Sequence, residues 1–432
     1  MFSVYKIKNL IMKKLTLSLL FAVLFFANAY SQNFQSVYKL YLNEDYFRFK
    51  NAIPTAKFNN HWESDLCTAF MKSVFSKFSE SEILFDKVLK ESGKKIHDSI
   101  KAKIYECKVV NYINLFEYKE AFASSKILKE KYSQYLDAEE KENLNDEEGM
   151  WAAVNSTKPQ TITKQGDAKI QMKKDMAGLW NIPVSINSEN LDFVFDTGAN
   201  FSVVVESLAN SLGMKLIDTK VKVGTATDIK VDAKISFCDE LKIDNITLNN
   251  VVFLVLPDET LDFGIYKIKG ILGNPVIKAF EEIRINKNNL LTVPMKSSDD
   301  NLQNLCFSGF TPVILMNHKN DSLSLTFDSG AMTTMLFKPF FNLYKKDLEG
   351  KYELVDIIVG GAGGNQKVKG YKINDVNLQA GNLSVTLNKV SLLSESTAKK
   401  NTDFYGNLGQ DYISQFKEMI INFKNSFIRF EN

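Results

Sequence analysis

The sequence Leu191-Asp192-Phe193-Val194-Phe195-Asp196-Thr197-Gly198-Ala199 returns in the second half of the chain as Leu323-Ser324-Leu325-Thr326-Phe327-Asp328-Ser329-Gly330-Ala331. Apolar side chains stand five, three and one positions before each aspartate, the alternation of a half-buried strand that runs into it. Further back, Pro183-Val184 and Pro312-Val313 each open another apolar run. Polar turns at Asn187 to Asn190 and Asn317 to Asp321 separate the runs, so each copy begins as a hairpin. Downstream, Ile271-Leu272-Gly273-Asn274-Pro275 and Asn407-Leu408-Gly409-Gln410-Asp411 each lead into a short helix, with apolar positions at Val276, Ile277 and Phe280 or at Tyr412, Ile413 and Phe416. Asn274 and Pro275 suit an N-cap and first turn. Terminal runs of strand character follow at 283–293 and 419–430. Gly273 follows Asp196 at nearly the same remove as Gly409 follows Asp328, so the copies have nearly equal length. A lone Asp-Thr-Gly is common; two such loops in the same order of strand, helix and strand mark a duplicated β unit.

Upstream of this unit the texture changes. From Gln32 to Met150 the chain holds one proline, Pro54, and two glycines, Gly93 and Gly149, while apolar residues recur three and four apart, the pattern of packed helices. Phe78, Glu82, Ile83 and the run Val88 to Glu91 are echoed, at a nearly constant offset, by Phe116, Glu120, Ala121 and the run Ile127 to Glu130. That spacing fits either a short stack similar to tetratricopeptide units or an unrepeated helical bundle. The expected division is a signal peptide at 1–31, a helical module at 32–150, a linker at 151–175, a first β lobe at 176–296, a second linker at 297–304 and a second β lobe at 305–432. The signal peptide reading rests on Lys13 and Lys14, the apolar run Leu15 to Phe26 and the small residues Ala27 and Ala29. It implies export to a periplasm, a cell surface or the medium. The run is shorter than the ~18 residues of a spanning helix, so no membrane span is expected once the signal is removed.

Lys and Arg total 53 against 51 Asp and Glu, a formal net charge of +2, which gives no electrostatic reason to expect nucleic acid or an anionic membrane as partner. Three histidines, His61, His97 and His318, show no ligand spacing. No metal site, cofactor or Ser-His-Asp triad is therefore expected. Cys67 and Cys107 fall in the helical region and Cys238 and Cys306 in the β region, leaving open one disulfide in each or four buried thiols.

With its paired Asp-Thr/Ser-Gly loops, the region from about 176 to 432 resembles the pepsin and retropepsin family of aspartic peptidases. In that family each lobe supplies such a loop and an apolar-apolar-Gly segment beneath it. Phe195-Asp196-Thr197-Gly198-Ala199 with Ile271-Leu272-Gly273 fits the first lobe; Phe327-Asp328-Ser329-Gly330-Ala331 with Asn407-Leu408-Gly409 fits the second, except that Asn407 replaces an apolar residue. The alanines after the glycines look more like retropepsins than pepsins. The resemblance implies an α+β multidomain chain: an N-terminal all-α module followed by a bilobal all-β acid-protease-like domain, complete in one chain without a homodimer. It implies Asp196 and Asp328 as the catalytic pair acting on a polypeptide substrate, Gly198 and Gly330 steadying the carboxylates through backbone N–H groups, and Thr197 and Ser329 bonding across the lobe interface. It also implies hairpin flaps, placed at Gly360, Gly361, Gly363 and Gly364 in the second lobe and at Gly224 in the first. The helical module would offer a surface for a protein partner. The competing expectation is an inactive acid-protease-like fold that binds peptides or proteins.

Two carboxylates held within hydrogen-bond reach cannot both ionise cheaply, so they share one proton and titrate together. Alanine at 199 and 331, where pepsins carry a hydroxyl, removes a donor to the ionised form and so raises the pair's pKa values. The expected pH–rate profile peaks nearer neutrality than that of a digestive enzyme. A maximum well below about pH 4, the ordinary aspartate value, is the outcome that contradicts it.

Overall fold

The computed structural model describes residues 32–224, 230–361, 364–395 and 403–432; the segment read as a signal peptide lies outside them. The described residues open with three helical hairpins: Phe34–Leu42 with Tyr46–Ala52, His61–Val74 with Phe78–Ser92, and Asp98–Asn114 with Tyr118–Ile127. Each turns through one left-handed residue, Glu44, Ser76 or Phe116, at φ of 54°, 60° and 60°. At each turn a backbone N–H reaches back five positions, from Asp45 to Leu40 O, Lys77 to Lys72 O and Glu117 to Tyr112 O (2.9, 2.8 and 2.8 Å), which caps the ending helix. The repeat is two positions out of the register read from the sequence: Phe78 and Tyr118, not Phe116, open the corresponding helices. The offset between the second and third hairpins grows by three residues from their first helices to their second, because Asp98–Asn114 has 17 residues against 14 in His61–Val74. A last helix, Ala138–Val154, closes the module four residues beyond the expected boundary at 150.

The stretch expected as a linker at 151–175 is not an open tether. Thr161–Lys164 pairs antiparallel with Ile246–Leu256, and Ala168–Gln171 pairs antiparallel with Leu290–Val293. Runs of four residues are too short for alternation to stand out, yet Ala168 and Ile170 are fully committed to the core.

Each lobe then builds the same frame. In the first, Trp180–Ile186 and Glu189–Phe195 form a hairpin whose second strand lies parallel to Gly270–Leu272, and that short strand pairs antiparallel with Ser202–Val205. In the second, Thr311–His318 and Asp321–Phe327 form the hairpin, Gly406–Leu408 lies parallel to its second strand, and Met335–Leu336 lies antiparallel. Even the register repeats: Leu272 faces Phe195 as Leu408 faces Phe327.

One five-stranded sheet joins the halves. Its order is Ala168–Gln171, Leu290–Val293, Glu282–Asn286, Glu418–Asn422 and Phe427–Glu431, so the first half supplies three strands and the second half two. At the seam Ile283 faces Ile421, both buried. The helical module is seated on this β domain rather than strung beside it. Tyr46, Phe47, Val74 and Phe75 cluster with Cys306, Val313 and Phe404 of the second lobe, and Val109, Ile113, Met150, Trp151 and Val154 enter the β core. Lys278 sits over the rings of Phe78 and Phe307 (4.7 and 4.0 Å) and donates to Asn114 Oδ1 at 2.5 Å. Burial pushes its ammonium down to about 7. All four cysteines are free and buried. Among the described residues no helix is long and apolar enough to cross a membrane.

At the seam of the joining sheet, Glu282 has no exposed side-chain surface. Burial alone would push its carboxyl up, but Ser298 donates to it from both N–H and Oγ (2.6 Å each), and Arg284 pairs with it at 2.7 Å, so it lies below the usual value. A depressed folded-state pKa contributes stability above the unfolded value and loses it as pH falls. Glu282→Ala, which strands these donors and the Asn422 amide, should lower unfolding free energy in urea by about 3 kcal/mol at neutral pH. The deficit should shrink on acidification through the carboxylate range; a pH-independent deficit contradicts the assignment.

Candidate active site

Both aspartates stand where a hairpin strand leaves its sheet. Asp196 N–H donates to Leu272 O and Asp328 N–H to Leu408 O, each at 3.1 Å, so the parallel strand beneath each loop fixes the start of the turn. The turn closes when Gly198 N–H donates to Asp196 Oδ1 (2.8 Å) and Gly330 N–H to Asp328 Oδ1 (2.7 Å). Glycine is required at both places by close approach. A Cβ on Gly198 would stand 2.6 Å from Asp328 Cγ, and one on Gly330 would stand 2.7 Å from Asp196 Cγ. Each carboxyl therefore lies against the other lobe's loop, close enough to its counterpart for charge on one to oppose ionisation of the other.

The loops also hold each other. Thr197 N–H donates to Ser329 Oγ at 3.0 Å, Ser329 N–H donates to Thr197 Oγ1 at 2.9 Å, and Ser329 Oγ donates to Phe195 O at 3.1 Å. The structure thus brings Asp196, Thr197, Gly198, Asp328, Ser329 and Gly330 to one junction. The glycines expected in flaps lie elsewhere. Gly224 ends the strand Lys215–Gly224, which pairs with Lys230–Ile243; Gly360 and Gly361 pair with Asn365 and Gly364 in a second hairpin. Gly363, with the rest of 362–363 and with 225–229, lies outside the described residues.

Residues 182–276 match the family model described as aspartyl protease. That segment is similar to the aspartyl protease family. Among solved structures, a retropepsin-like aspartic protease from Rickettsia conorii is 22% identical, covers 32% of this chain and 94% of its own, and has a TM-score of 0.23. Basic 7S globulin from soybean is 8% identical, covers 63% of this chain and 95% of its own, with a TM-score of 0.39. Both scores are too low to carry weight, and the fold stands on the sheet order and the family match. A sequence comparison with the curated proteins finds no match.

Around these two loops lies a set of supports that sequence reasoning missed. Asn274 does not cap the helix after Gly273; Gly273 holds the N-cap position, and Asn274 Nδ2 instead donates to Thr197 O at 2.9 Å and Phe310 O at 2.5 Å. Gln410 plays the same part in the second lobe, donating to Ser329 O at 2.9 Å. Ser202 and Thr334, each six positions past its aspartate, accept from the N–H of Gly273 and Gly409 at 3.1 and 3.2 Å. Laying one copy over the other exposes all four: an amide after each glycine and a hydroxyl six positions after each aspartate.

Burial, then the charge of Asp328, pushes Asp196 well above the usual aspartate range, while the N–H groups of Gly198 and Ala199 only partly offset this. Burial also pushes Asp328 up, against the N–H groups of Gly330 and Ala331. An acid whose folded-state pKa is raised destabilises the fold once pH climbs above the unfolded value. Asp196→Asn should therefore raise the melting temperature at neutral pH, with the gain fading as pH falls below about 4. A variant less stable than the parent at pH 7 contradicts this reading of the pair.

Proposed function

We propose that this protein is an exported aspartic endopeptidase that hydrolyses polypeptides with a water activated between Asp196 and Asp328. The observation that carries the reading is the crossed packing of each carboxyl on the opposite lobe's glycine, which holds two acids where they must share a proton. In that state the ionised carboxyl takes a proton from the water as the water oxygen bonds to the scissile carbonyl carbon. The protonated carboxyl gives its proton to the carbonyl oxygen. The resulting gem-diol collapses with cleavage of the C–N bond and proton transfer to the leaving nitrogen. No covalent enzyme adduct forms, and both acids come from one chain, so the site needs no second subunit.

Alanine at both 199 and 331 supports a working range closer to neutrality, since only backbone N–H groups follow the glycines. Export rests on residues 1–31 and the polypeptide substrate on the family match. The helical module is the natural surface for a protein partner.

Asp196→Asn and Asp328→Asn should each reduce cleavage of an unstructured protein by about 10³-fold or more while unfolding cooperatively, as expected when one acid–base group is lost. A peptide carrying a hydroxyl in place of the scissile carbonyl should inhibit the parent. Cleavage that persists in either variant removes the mechanism. Peptide binding without cleavage at any pH makes the domain a binding module.

A further inference from the structure

The lobes repeat each other closely around the aspartates, but one departure touches a carboxyl. Where the first lobe has Ile271, in parallel register with Val194, the second has Asn407, in register with Thr326. An isoleucine can only exclude water, whereas a carboxamide brings two N–H donors and an acceptor. The acceptor is committed: Thr326 Oγ1 donates to Asn407 Oδ1 at 2.7 Å. That bond turns the amide so that Asn407 Nδ2 faces Asp328 Oδ2 at 3.4 Å. The other carboxylate oxygen already accepts from Gly330 N–H, as the matching oxygen of Asp196 accepts from Gly198 N–H. Backbone donors are therefore balanced between the lobes, and Asn407 is an extra donor on one side.

We propose that Asn407, oriented by Thr326, is a positioning residue that breaks the symmetry of the pair, holding the negative charge on Asp328 and the shared proton on Asp196. The inference rests on the peptidase reading and assigns the roles within it. Asp328 takes the proton from water while Asp196 gives its proton to the carbonyl oxygen. On collapse of the gem-diol, the leaving nitrogen takes the proton from Asp328 and a diol hydroxyl returns one to Asp196, restoring the starting state. A donor bonds more strongly to an ionised oxygen than to a neutral one, and such bonds shorten when charged, so the long 3.4 Å contact has room to tighten.

The surroundings supply little else to distinguish the acids. Asp196 faces Asp328 and the N–H groups of Gly198 and Ala199; Asp328 faces Asp196, the N–H groups of Gly330 and Ala331, and Asn407. Two charged groups join the hydrogen-bond network without touching either carboxyl: Lys174 donates to Gln410 Oε1 at 3.0 Å, whose amide ends on the carbonyl of Ser329, and Asp411 Oδ1 accepts from Thr334 N–H and Oγ1 at 2.8 and 2.7 Å.

The test compares the parent with Asn407→Ile, which installs the first-lobe residue, and Thr326→Val, which frees the amide to turn. Loss of a donor to the ionised form makes the first proton harder to remove. The acid limb of the kcat/KM profile should therefore move to higher pH in Asn407→Ile, several-fold activity being lost at the acid end and little on the plateau. Thr326→Val should move it less, in the same direction. In parallel, carboxyl carbon resonances of labelled aspartates, assigned with Asp196→Asn and Asp328→Asn, should show the singly ionised parent carrying its charge on Asp328 and Asn407→Ile sharing it. Charge on Asp196, or a uniform activity loss with unmoved limbs and unmoved resonances, overturns the proposal. The resonance titration decides even if no substrate is cleaved, so failure of the peptidase reading and failure of this inference remain distinct.

Discussion

Everything at the junction of the lobes depends on the exchange of hydrogen bonds between Thr197 and Ser329. Each hydroxyl accepts the other residue's backbone N–H, at 3.0 and 2.9 Å, and the two residues are 0% and 1% exposed. Solvent does not reach either partner, so losing one hydroxyl leaves a buried N–H unsatisfied at a cost of about 1–3 kcal/mol. The exchange is also geometric. It sets the distance at which Gly198 meets Asp328 and Gly330 meets Asp196, and that distance makes two ordinary aspartates a coupled pair.

Such a pair burdens the fold, because burial and like charge both oppose ionisation. The stability that tolerates it lies elsewhere, in the sheet that runs from one half into the other. Ile283 and Ile421 close its seam, and Glu282 gathers Ser298, Arg284 and Asn422 from three directions. A continuous join at the sheet and a short-range lock at the loops divide the task. The sheet fixes the lobes coarsely, and the crossed hydroxyls fix the carboxyls to within a hydrogen bond.

Much of this was legible in the sequence for a simple reason: one buried face per strand writes alternation into the chain, and duplication wrote it twice. Phe193, Phe195, Leu325 and Phe327 are all buried, as their spacing implies. Where reading failed, a distant partner had overridden a local pattern. Asn274 before Pro275 has the form of a cap, yet the carbonyl of Thr197, far back along the chain, takes its amide. Thr161–Lys164 is too short to advertise a strand, and its partner at Asn249 is equally remote in sequence. Asn407 was visible as an exception, but its meaning needed Thr326 beside it, a neighbour that only strand register supplies. The Gly-rich run was read as part of a hairpin, and Gly360 and Gly361 pair with Asn365 and Gly364 in one.

The helical module belongs to the same physical unit. Trp151 is buried, its ring 6.1 Å from that of Phe201, five positions past Asp196, and Phe201 in turn meets Phe310 of the second lobe at 5.4 Å. The helix Ala138–Val154 lies along the strand Lys215–Gly224, and Lys230, on the returning strand of that hairpin, pairs with Glu142 and Asp146 at 2.8 and 2.6 Å. Surface ion pairs of this kind contribute little alone. The apolar contacts beneath them are different: stripping the module away would expose Met150, Trp151 and Val154 together with the β core they cover. A segment made to be shed leaves a finished surface behind it, and this one would leave an open core next to the first aspartate's loop. The helices are therefore a wall of the β domain, held at a fixed position relative to the paired carboxyls.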